Sequence, residues 1–75
     1  MDEVQVITIS DHDGWITYYV IPAEHADDIV MPNDVYEKEE ELDCVLSFSS
    51  PTSFAEWARE NPDVEFVGYW ESREI

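Results

Sequence analysis

Two runs rich in β-branched residues open the chain, Val4-Gln5-Val6-Ile7-Thr8-Ile9-Ser10 and Trp15-Ile16-Thr17-Tyr18-Tyr19-Val20-Ile21, each of strand length. Between them, Asp11-His12-Asp13-Gly14 predicts a four-residue hairpin loop: Gly14 takes positive φ without a Cβ clash, and the aspartates can bond nearby amides. Pro22 to Val30 reads either as a short helix with Ala26, Ile29 and Val30 facing the core, or as a loop with one helical turn. Asp27 and Asp28 oppose the dipole of such a helix, and Pro32 stops anything that reaches Met31.

From Leu42 to Ser49 the period is two, with Leu42, Cys44, Leu46 and Phe48 on one face against Asp43, Val45, Ser47 and Ser49 on the other. This predicts a third strand. Ser53 and Glu56 have capping-box spacing, and Phe54, Trp57 and Ala58 share a helical face, so a helix follows the turn at Ser50-Pro51 and ends at Asn61-Pro62. Val64 to Trp70 reads as a last strand with Val64, Phe66 and Trp70 on one face, and Glu71 to Ile75 is expected to fray. The expected fold is a single α+β domain over residues 1–75. It has a small antiparallel sheet of about four strands, in the order β-β-(short α or loop)-β-α-β, with one main helix packed on it.

Charge changes the picture most. Nineteen Asp and Glu stand against Lys38, Arg59 and Arg73, a formal net charge of −16 on 75 residues. The stretch Tyr36-Glu37-Lys38-Glu39-Glu40-Glu41-Leu42-Asp43 sets five carboxylates within seven residues. Extended, it would project Glu37, Glu39, Glu41 and Asp43 from one face at roughly 6.6 Å intervals; as a loop it would scatter them. Such a surface repels nucleic acid and anionic membranes and attracts basic partners. Ten aromatics and 44% hydrophobic residues exclude a disordered acidic tail.

Catalytic and metal chemistry find little support. Asp11, His12, Asp13 and His25 lack the remaining ligands and the closing Glu of a calcium loop, so an ordinary turn is the better reading. Cys44 is the single cysteine, which excludes an internal disulfide and a cysteine-based zinc cluster, and its predicted apolar surroundings make it inert. So small a domain has little room for a ligand pocket. We expect no catalytic residue, no metal and no cofactor. No apolar run reaches the length of a membrane span, and the acidic start lacks the basic region of a secretory signal, so a soluble cytoplasmic protein is expected.

In size, charge and absence of catalytic motifs the whole chain resembles the small acidic proteins with which bacteriophages disarm host defence, including anti-CRISPR proteins and restriction inhibitors that act as DNA mimics. Within that group it is similar to inhibitors of type I CRISPR surveillance complexes, the type I-C complex among them. The resemblance implies a partner that is a basic DNA-binding protein or complex, such as a Cascade subunit, with target DNA blocked at the surface that reads the protospacer-adjacent motif. There is no motif on which to carry over individual residues. From the residues themselves, Glu37, Glu39, Glu40, Glu41 and Asp43 form the expected ridge, with Asp11, Asp13, Asp27, Asp28 and Asp34 as a second row. Direct nucleic-acid binding is not expected, and the chain is read as a monomer or weak dimer. Three other readings stand beside this one: an acidic antitoxin or adaptor that neutralises a basic protein, a merely solvated face, and acid enrichment in a proteome adapted to high salt.

Overall fold

A computed structural model describes residues 3–74. Strands β1 (Glu3–Ser10) and β2 (Ile16–Pro22) form the expected antiparallel hairpin, from Val4 opposite Pro22 to Ser10 opposite Ile16. The loop runs one residue longer than the four expected, from Asp11 to Trp15, because β2 begins at Ile16. Asp11 Oδ1 accepts from the backbone N–H of Asp13 and of Trp15, both at 2.9 Å, and Gly14 takes φ 88°.

After a single helical turn, α1 (Ala23–Ala26), comes α2 (Pro32–Glu41), then β3 (Leu46–Phe48), α3 (Pro51–Glu60) and β4 (Glu65–Arg73). The strand order is β3-β2-β1-β4, with β1 and β4 parallel and the other pairs antiparallel. The α+β class therefore holds, on a mixed sheet rather than a purely antiparallel one. The β3-α3-β4 connection carries the chain from one edge across the sheet to the other, which returns β4 in the direction of β1.

Both faces are covered, and β1 is consequently buried almost throughout, the pattern of a central strand enclosed on two sides. Ile7, Ile9, Tyr19 and Ile21 point to one face and pack with Ala26, Ile29, Val35 and Val45, joined by Tyr36, Leu42 and Trp70. Val4, Val6 and Val20 point to the other and pack with Tyr18, Phe48, Phe54, Trp57 and Val64. The first core lies under α1 and α2, and the second lies under α3. Two ten-residue helices thus replace the single main helix expected.

Helix α3 begins at Pro51, three residues before the start the Ser53 capping box implied. Ser50 is its cap, with Oγ accepting from the Ser53 N–H at 3.2 Å, and Pro51 occupies the first turn, where a missing N–H costs nothing. In β4 the register against β1 jumps between Val4 opposite Phe66 and Gln5 opposite Gly68. This bulge at Val67 turns Phe66 and Trp70 to opposite faces, where unbroken alternation would place them together. Phe66 meets Phe54 and Trp57 under α3, while Trp70 joins the core under α2.

The tail is not frayed as far as it is described. Glu74 donates its backbone N–H to the Ser10 carbonyl at 2.7 Å and receives the Tyr36 hydroxyl. Ile75, the last residue of the stretch expected to fray, lies outside the described residues.

Candidate functional site

The acidic stretch is helical, so neither an extended row nor a loop. Pro32 starts the helix instead of stopping one: it sits in the first turn, and Asp34 two residues on closes the end, its Oδ2 accepting from the N–H of Val30 at 2.9 Å and of Met31 at 3.1 Å. Val35, fully buried, holds the inner face against the sheet with Tyr36 and Leu42. At 3.6 residues per turn Glu37, Glu40 and Glu41 share the outer face. Glu39 instead lies within electrostatic reach of Tyr19, and Asp43 sits beyond the helix in the turn before β3.

The second row sorts into two kinds. Asp11 and Asp34 spend a carboxylate oxygen each on backbone amides and act as loop and helix caps. Asp28 meets Lys38 Nζ at 3.5 Å, which links the α1–α2 connection to the last turn of α2. Asp13 and Asp27 are exposed and bond to no side chain among the described residues. Asp11 contributes to the field on Tyr36, so the hairpin loop also approaches α2. The structure therefore gathers the hairpin loop, the linker and α2 around one side of the sheet. The net charge of −16 spreads over 5174 Å², about one charge per 320 Å².

Beneath this acidic side lie two perturbed tyrosines. Burial, then the hydrogen bond to Glu74, hold the Tyr36 hydroxyl far above its ordinary value. Burial raises Tyr19 as well, with the Glu39 and Glu74 carboxylates adding to the shift. Neither tyrosine faces a nucleophile or a metal-ligand group in an arrangement that suggests chemistry, and no cluster of His, Cys, Asp and Glu suited to a metal ion occurs among the described residues. His25 Nε2 is 3.6 Å from Glu24.

Cys44 departs from its expected place. It is exposed in the turn at 43–44, and Val45 is buried in its stead. Period two fails there because only Leu46–Phe48 is strand, so the turn resets which side chain faces inward. Leu46 is left 37% exposed. Val30 is likewise outside the core, 84% exposed, because α1 ends before reaching it.

Two features were not legible beforehand. One is Tyr69, 58% exposed, which with Arg73 lines a recess of about 390 Å³. The other is a larger open groove of about 660 Å³ at the opposite end of the α3 face, where little room for a ligand was expected. Its lining residues come from both hairpin strands, α1, the turn at Cys44, β3, and the end of α3 with the loop after it, so no local motif announces it. Among the described residues no helix is long and apolar enough to cross a membrane. No protein-family model matches the chain, and no characterised protein or solved structure does so.

Proposed function

We propose that this protein is a DNA mimic that inhibits a nucleic-acid-binding complex by occupying its DNA-binding surface. The observation that carries the reading is the charge density of α2. Glu37, Glu40 and Glu41 set three carboxylates on its outer face within five residues, which at about 1.5 Å rise per residue is about one carboxylate per 2.5 Å of axis. Duplex DNA presents one phosphate per about 1.7 Å of axis. Buried Val35 anchors the inner face, so a basic channel meets a helix that is already formed. No reacting group is needed, because competition alone blocks DNA.

Within this reading the target is a type I Cascade at the surface that reads the protospacer-adjacent motif, on the likeness in size and charge to anti-CRISPR proteins. Glu37, Glu40 and Glu41 form the central contact, with Glu39, Asp13, Asp27 and Asp43 at its margin. The test is capture from a lysate of the native bacterial host at low and then moderate salt, with duplex DNA as competitor. One basic DNA-handling complex that DNA displaces, and that E37Q/E40Q/E41Q fails to capture, supports mimicry. Unchanged capture by that variant rejects the ridge. The exposed Trp15 and Tyr69 favour a second reading, an acidic antitoxin or adaptor that binds its basic partner through aromatic contacts as much as charge. Salt-tolerant capture that is indifferent to DNA would select it.

A further inference from the structure

The groove at the open end of the α3 face has a chemistry of its own. Val4, Val20, Leu46 and Trp57 supply apolar and aromatic lining, and Glu3 and Glu24 line it as well, within a volume of about 660 Å³. No lysine or arginine lines it, and among the described residues the only cationic partner of either carboxylate is the titratable His25 beside Glu24. An anion is repelled there. A neutral apolar ligand would make no use of the two carboxylates. A group with an apolar stem and a cationic head satisfies both parts of the lining.

Of the two such side chains in proteins, arginine suits this groove better. Its guanidinium is more weakly hydrated than an ammonium, stacks on aromatic faces and offers a planar fork to carboxylates, and Trp57 with Glu3 and Glu24 supplies both kinds of contact. We propose that this groove is a receptor site for an arginine side chain presented by a protein partner. The stem lies along Leu46, which is 37% exposed, and the guanidinium reaches Glu3 and Glu24 beside Trp57. The site stands apart from the α2 ridge and does not rest on the mimicry reading.

The test titrates N-acetyl-arginine amide into the intact chain at fixed ionic strength, followed by ¹H–¹⁵N NMR. Saturable shifts are expected at Val4, Glu24, Leu46 and the Trp57 indole N–H, with weaker binding of N-acetyl-lysine amide and none of N-acetyl-norleucine amide. E3Q and E24Q, both at exposed side chains, should each weaken binding about threefold, the size expected for one exposed ion pair. E71Q, at the hairpin end of the sheet, should leave it unchanged. Shifts that spread over all carboxylates without saturating, or E3Q and E24Q binding like the parent chain, would overturn the proposal.

Discussion

The Tyr36 hydroxyl donates to Glu74 Oε2 across 2.7 Å, joining the middle of α2 to the end of β4 between residues 38 apart in sequence. Because the Glu74 backbone N–H also bonds Ser10, the same residue ties the helix layer to the sheet. Y36F keeps the ring and removes the bond. It should lower stability by about 0.5–1.5 kcal/mol, read as a lower urea midpoint with an unchanged slope. A midpoint equal to the parent's would show that the bond adds nothing net.

The same tyrosines set an alkaline limit. Tyr36 and Tyr19 both have folded-state values raised above that of a free tyrosine, so between the two values the native state binds more protons than the unfolded chain. Their contribution is complete below about pH 10, the unfolded value, and is lost as pH rises beyond it toward the folded values. Melting temperature should therefore fall above about pH 10, and less steeply in Y36F. Parallel curves for the two proteins from pH 9 to 11 would contradict the assignment.

Asp34 and Glu40 are both acidic residues of α2, yet they should behave oppositely. Asp34→Ala removes the acceptor of two backbone amides at the helix start and should cost about 1 kcal/mol, with faster amide exchange in the first turn of α2. Glu40→Gln touches no such bond and should leave stability unchanged or slightly higher. Equal effects would mean that Asp34 is no cap.

Self-repulsion on the outer face of α2 should be measurable without any partner. E37Q/E40Q/E41Q should melt above the parent at low salt, and the gap should close as ionic strength rises from 0.01 to 0.15 M and the screening length falls from about 30 to about 8 Å. A gap that ignores salt would place the stabilisation in helix propensity instead.

What local pattern determined was considerable. Alternation in Val4–Ser10 and the Asp-x-Asp-Gly loop specified the hairpin, because a two-strand unit with its turn is a short-range object. The Phe54 and Trp57 face specified α3, and the acid count specified an anionic surface whatever the fold.

Tertiary structure decided the rest. The acidic stretch is a helix because a sheet buried on both faces needs a cover on the side of Ile7 and Ile21; Val35, Tyr36 and Leu42 provide it, but this apolar stripe is too sparse to stand out among the glutamates. The parallel placement of β4, its bulge at Val67 and the exposure of Cys44 depend on strand pairings and turns formed between distant segments. The groove exists only where β1, β2, α1, β3 and α3 meet. A sequence pattern reports which side chains in one segment share an environment; which environment that is depends on the partner packed against them.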